Sequence, residues 1–276
     1  MQVDVFDSGP LTGNPIAVVL DGDALTTERM QQITDWTNLS EATFLLAPTD
    51  PGADYRVRIF CPGRELPFAG HPTLGSCHAW LAAGGVPTRE GLVVQECGAG
   101  LVSIRRDDDR LAFAAPPMTR SGPVESDLIA TRLDQLGLDA AEVVDAAWID
   151  NGPGWMGLLL TSADAVLALD LPSVAVSGFE IGIVGFHSPG HADDPAIEVR
   201  AFFSDASGAI REDPVTGSLN ASIAQWLIGA GRIDAPYVAA QGRSLGRAGR
   251  IHVAADDADI WVGGHSVVVI DGMITI

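Results

Sequence analysis

Residues 217–228 are small or apolar on almost every face, the pattern of a helix that other structure encloses. Glu212-Asp213-Pro214 reads as a tight acidic turn ahead of it, and Thr216-Gly217-Ser218 opens it. A second such helix is predicted inside the segment PFAGHPTLGSCHAWLAAGGV, residues 67–86, where Gly84-Gly85 ends it. Laid over each other, the two segments match at a spacing of 147 residues: Gly70 with Gly217, Ala83 with Ala230, Gly84 with Gly231 and Val86 with Ile233. Short strands flank both helices. Tyr55, Val57 and Ile59 alternate with Arg56 and Arg58, giving a half-buried strand with one wet face. Residues 197–203 repeat that alternation, with Arg200 and Phe202 in the places of Arg58 and Phe60.

Further strands are predicted at residues 3–6, 16–20, 38–46, 92–96, 101–105 and 111–115. Thr26 can cap a helix running to Thr37, with Met30, Ile33 and Trp36 on one face. Leu128, Ile129, Leu133 and Leu136 suit a helix that Gly137 closes. Ile149-Asp150-Asn151-Gly152-Pro153 resembles Phe6-Asp7-Ser8-Gly9-Pro10, and residues 249–253 echo residues 100–104. One order of elements, met twice, implies a duplication with pseudo-two-fold symmetry. The expected class is α+β: two lobes, each a curved, mostly antiparallel sheet wrapped round a central helix. The lobes would be residues 1–117, completed by 264–276, and residues 118–263, with the active site in the cleft between them.

Composition narrows the partners. The chain has 276 residues, 47% of them hydrophobic and 19% charged, so a large core can be buried. A net charge of −20 repels nucleic acid and anionic membrane, and no basic cluster offsets it. No apolar run is long enough for a bilayer and no leader peptide is visible. The expectation is a cytoplasmic protein without nucleic-acid or membrane partners, free to pair as a homodimer. Cys61, Cys77 and Cys97 are odd in number and lack a CxxC spacing, which fits reduced thiols.

The candidate chemistry lies at the two helix starts and just before one strand. Free N–H groups at a helix start, where glycine permits close approach, can hold an anion. Ordinary capped helices give the same pattern, and the residues alone leave both readings open. Glu41 stands in a small and apolar run, where an ionised carboxylate is costly unless paired. Glu41, His71 and Asp213 are the titratable groups placed for acid/base work. Single-residue alternatives exist for each: a surface position for Glu41, a capping residue for His71, a turn residue for Asp213. Other motifs carry less. Gly242-Arg243-Ser244-Leu245-Gly246 fits GxSxG but no helix follows, so a turn is expected. His187 and His191 are separated by Pro189-Gly190, which favours a loop over a zinc site. Asp107-Asp108-Asp109 reads as a solvated turn. No nucleotide-binding glycine motif is present.

The segments NLSEATFLL, RIFCPGRELPFAGHPTLGSCHAWL and REDPVTGSLNASIAQWL closely resemble the signatures of the phenazine-biosynthesis PhzF-like family. The likeness runs from PLTGNPIAVV to the IDGMITI tail. It implies a diaminopimelate-epimerase-like fold and an isomerase, without cofactor or metal, that moves a proton on a small carboxylate-bearing substrate. By the same resemblance Glu41 is the acid/base, and His71 and Asp213 are supporting polar groups. Gly70, Thr73, Thr216, Gly217 and Ser218 are then expected to hold the substrate. Epimerases of this fold carry a cysteine at each helix start. Here those places hold Ala69 and Thr216, which disfavours a two-thiol racemase.

Overall fold

The computed structural model describes residues 1–190, 194–205 and 207–275. The chain divides into two compact units, Met1–Ala114 with Gly263–Ile276, and Ala115–Val262. The first holds β1 (Gln2–Asp7), β2 (Asn14–Val19), α1 (Thr27–Thr37), β3 (Ala42–Leu46), β4 (Tyr55–Cys61), β5 (Arg64–Leu66), α2 (Gly70–Ala82), β6 (Leu92–Cys97), β7 (Gly100–Asp107) and β8 (Arg110–Ala114). The second holds β9 (Arg120–Pro123), α3 (Ser126–Leu136), β10 (Val143–Asp150), β11 (Met156–Leu160), α4 (Ala163–Ala168), β12 (Ile181–Phe186), β13 (Ile197–Ser204), β14 (Ile210–Asp213), α5 (Gly217–Gly229), β15 (Tyr237–Gln241) and β16 (Gly249–Ala255). Then β17 (Ile260–Ile270) brings the chain back to the first unit. No helix is long and apolar enough to cross a membrane, among the described residues, which says nothing of a β-barrel.

In the first unit β1 runs antiparallel to β2, β2 parallel to β3, β3 antiparallel to β4 and β4 parallel to β6. Antiparallel pairs β6–β7 and β7–β8 follow. β8 then pairs with β17, which lies antiparallel on β1, so the sheet closes on itself. The second unit repeats the order: β10–β11 antiparallel, β11–β12 parallel, β12–β13 antiparallel, β13–β15 parallel and β15–β16 antiparallel. β14 hangs on β13 as β5 hangs on β4. α4 joins the parallel pair β11 and β12 as α1 joins β2 and β3, and α5 precedes β15 as α2 precedes β6. Such parallel neighbours need a crossover, which each helix supplies.

The two long apolar helices sit against several strands of their own units, α2 on β1, β2, β3, β6 and β8, and α5 on β10, β12 and β16. Glycines set the approach. A Cβ on Gly75 of α2 would stand 2.5 Å from Ile16 Cγ2 and 3.0 Å from Val5 Cγ2. In the second unit the missing side chain belongs to the strand: a Cβ on Gly182 would meet Leu219 of α5 at 2.2 Å. A further repeat is electrostatic. Arg58 pairs with Glu65 across β4–β5 and lies over Phe60; Arg200 pairs with Glu212 across β13–β14 and lies over Phe202. The first pair is 23% and 40% exposed, the second only 3% and 2%. Arg200 also donates to the carbonyls of Val166 and Leu169, which satisfies its buried guanidinium.

Several expectations shift by a residue or a face. Thr26 caps α1, accepting from Arg29 N at 3.3 Å, and Met30 and Ile33 are buried, but Trp36 is 80% exposed. At about 100° per residue, position 36 has rotated off the buried face. Thr34 turns inward instead and its hydroxyl donates to Met30 O at 2.9 Å. The strand expected over residues 38–46 begins only at Ala42, because Asn38 ends α1 in the left-handed region at φ 55°. Glu212 is a strand residue facing Arg200 rather than part of an acidic turn. Residues 243–245 form a short 3-10 turn, as expected of the GxSxG match.

Gly75→Ala adds one methyl group and improves helix propensity, yet it drives that methyl into two fully buried β-branched side chains. We expect Gly75→Ala and Gly182→Ala each to cost about 1–3 kcal/mol. Chemical denaturation would measure it, and an unchanged or raised midpoint for Gly75→Ala would refute the packing described.

Candidate active site

Glu41 stands immediately before β3, and His71 lies in the first turn of α2. A buried bond from Ser76 Oγ to Thr43 Oγ1, 2.8 Å, locks β3 to α2 and brings the two side chains together. His71 Nε2 is 3.5 Å from Glu41 Oε2, with the imidazole 6% and the carboxyl 18% exposed. Burial pushes the His71 imidazole down to about 3, so near neutral pH the contact joins a neutral ring to a carboxyl group and is no ion pair. At 3.5 Å the two atoms face each other without a hydrogen bond between them.

α2 is anchored from behind. Gln95 on β6 donates to Thr73 Oγ1 at 3.0 Å and accepts from Tyr55 OH at 2.9 Å. Thr73 is fully buried, so its hydroxyl anchors the helix rather than facing a ligand. The first intrahelical bond of α2 runs from Thr73 N to Ala69 O, which leaves the amides of Gly70 and His71 outside the helix ladder.

The start of α5 is built the same way with more polar contacts. Gln241 on β15 accepts from Thr216 N (3.0 Å) and from Asn220 Nδ2 (2.8 Å). Its Nε2 donates to Asp213 O and Thr216 Oγ1, both at 3.0 Å. Thr216 Oγ1 in turn donates to Asp213 Oδ2 at 2.5 Å. Its hydrogen is thus committed to Asp213 and one lone pair to Gln241, which fixes the hydroxyl in place. Asn220 N bonds Thr216 O, which again leaves the amides of Gly217, Ser218 and Leu219 outside the ladder. Ser218 is partly exposed and its hydroxyl accepts from Trp155 Nε1.

In the first unit Glu41, His71 and Gly70 are thus brought together. In the second Asp213, Thr216, Gly217 and Ser218 are. Gln95, Gln241, Asn220, Asn151 and Trp155 were not singled out from the sequence. The near match of Gln95 and Gln241, at almost the helix spacing, is the signal that points to two of them. Among the cysteines, burial pushes the Cys77 thiol up to about 12, and Cys61 and Cys97 are half-buried and free. His187 Nε2 lies 3.0 Å from Glu198 Oε2, and His191 falls outside the described residues.

The buried neutral imidazole has a thermodynamic consequence. The unfolded chain takes up this proton below pH 6.5, whereas the folded protein resists it down to about 3. Stability therefore falls as pH drops through that window, by at most about 1.4 kcal/mol per pH unit from this group. Denaturation at several pH values from 6.5 to 4 should show a shallower loss for His71→Asn than for the native sequence. Parallel slopes would contradict it.

Comparison with known proteins supplies the kinship. The family model described as phenazine biosynthesis-like protein matches residues 3–272. Antisense-enhancing sequence 1 of Schizosaccharomyces pombe is 33% identical, over 98% of this chain and 96% of its own. The trans-2,3-dihydro-3-hydroxyanthranilate isomerase of Pseudomonas aeruginosa is 33% identical, over 93% and 90%. A solved Pseudomonas aeruginosa structure named as a predicted epimerase superposes with a TM-score of 0.79 at 26% identity, covering 100% of this chain and 98% of that one. The chain belongs to the phenazine biosynthesis-like protein family and is an isomerase.

Proposed function

We propose that this isomerase works without a cofactor, moving a proton on a small carboxylate-bearing substrate with Glu41 as the acid/base. The observation that carries the reading is the Glu41–His71 contact beside a helix start. A carboxyl group there faces a neutral imidazole. Glu41 takes a proton from a carbon next to an activating group and returns it to another carbon, so atoms and charge balance within the substrate. His71 orients the carboxyl group. Asp213, held by Thr216, is the second supporting polar group. The N–H groups of Gly217 and Ser218 hold the substrate's carboxylate, and Gly70 offers the same kind of donor at the helix start of the first unit. This follows the diaminopimelate-epimerase-like plan that the sequence motifs imply.

The name of the Pseudomonas relative suggests trans-2,3-dihydro-3-hydroxyanthranilate as the first compound to try. A two-thiol racemase is a poorer reading: Ala69 has no reactive group, and the hydroxyl of Thr216 is engaged at both ends. A small-acid binding protein without turnover would share every contact named here, and exchange separates the two.

Glu41→Gln keeps the shape and removes the base. Turnover of trans-2,3-dihydro-3-hydroxyanthranilate should drop by about 10²–10⁴-fold, and solvent deuterium should enter the product only with Glu41 intact. Turnover within threefold of the native rate would end the assignment. Replacing Cys61, Cys77 and Cys97 together by alanine or serine should leave the rate within a few-fold, and its abolition in a folded variant would restore a thiol mechanism.

A further inference from the structure

The loop that follows β10 is tied to the first turn of α5 by two side chains. Asn151 Nδ2 donates to the carbonyl of Ser218 at 2.9 Å, and Trp155 Nε1 donates to Ser218 Oγ at 3.1 Å. The loop itself is braced. Asp150 Oδ1 accepts from Gly152 N (2.8 Å) and Gly154 N (2.6 Å), and Trp155 O accepts from Ile149 N (3.0 Å). Gly152 and Gly154 sit at φ 135° and 101°, where other residues would be strained. Trp155 is buried, so its ring has one place to go.

The chemistry of an indole makes this contact directional. It has one hydrogen to give and cannot accept. Ser218 Oγ is therefore the acceptor, and its own hydrogen points elsewhere. No other bond of this hydroxyl is formed among the described residues. Beside it are the amides of Gly217 and Ser218, which also only donate. A group placed there meets N–H and O–H hydrogens.

We propose that Trp155 is a positioning residue that turns the hydroxyl hydrogen of Ser218 toward a ligand, and that this donor set selects a carboxylate oxygen over an ammonium group, which has no lone pair to offer. The inference rests on the substrate reading above, in which Ser218 and its neighbours hold the carboxylate. Asn151 fixes the backbone of the same residue, so both the position and the polarity of Ser218 are set by one loop.

The test uses 3-hydroxyanthranilate, an aromatic carboxylate that cannot undergo the proton shift. Its Kd would be measured by calorimetry for the native protein, Trp155→Phe, Ser218→Ala and the double variant. Trp155→Phe should weaken binding about fivefold or more, the worth of an oriented hydrogen bond to a charged group. The double variant should bind within twofold of Ser218→Ala alone, because Trp155 acts only through Ser218. In turnover the loss should appear in KM, with kcat little changed. Binding by Trp155→Phe within twofold of native, or an undiminished loss in the Ser218→Ala background, would overturn the proposal. If the native protein does not bind the probe, the substrate reading fails and this inference falls with it. Should Trp155→Phe not fold, the indole N–H resonance of Trp155 in Ser218→Ala decides. It should move on loss of the acceptor, and an unmoved resonance would refute the contact.

Discussion

Each of the two long helices begins in its unit's interior with amides that its own backbone cannot satisfy. Everything else at the candidate site follows from that constraint. A buried helix start needs side chains to hold it, and here one glutamine on the following strand does so in both units. Gln95 reaches Thr73, and Gln241 reaches Thr216 and Asn220. An amide side chain suits the task because it both donates and accepts. Held from behind, the helix presents its remaining N–H groups forward, where an anion can complete them.

The two units use the same plan for different ends. The first places titratable groups at its helix start, Glu41 and His71, in contact with each other. The second fills the equivalent place with hydrogen-bonded polar groups that have little freedom: Asp213, Thr216 and Gln241 form a closed set of bonds. The Arg–Glu pairs show a similar divergence. One is half-open to water, where such a pair contributes little, and the other is fully buried and bonded to two further carbonyls.

Much of this was legible in the sequence. The two all-round apolar helices stand out because nothing but enclosure explains them, and the matched glycines Gly84 and Gly231 mark where each helix ends, both at positive φ. The strand alternation around Tyr55 was clear, since one face is buried and the other partly wet, but around Ile197 the alternating charges Glu198 and Arg200 are buried too, facing His187 and Glu212. What escaped was local geometry. Trp36 looked like a core residue because spacing of three follows the helix face only for a turn or so. Glu212 looked like turn chemistry because a charge beside Asp-Pro usually is. Only the partner, Arg200, 12 residues earlier, makes it an interior residue. The sequence even holds the clue: Arg64-Glu65-Leu66-Pro67 and Arg211-Glu212-Asp213-Pro214 repeat at the helix spacing. Asn151 and Trp155 were hidden for a different reason. A positioning residue carries no chemistry of its own and is recognised only by what it touches.

The pairing of β1 with β17 joins Gln2 to Ile270, residues near opposite ends of the chain. The ring of the first unit therefore cannot close while the chain is being made until its last strand has left the ribosome. The second unit is continuous and all its strand pairs are local by comparison. Synthesis and topology together favour an order of assembly: the platform that holds Asp213 and Ser218 can form first, and the unit bearing Glu41 is completed last. The long loop whose ends β1 and β17 bring together contains the whole second unit, and a folded insert shortens the effective length that closure must overcome.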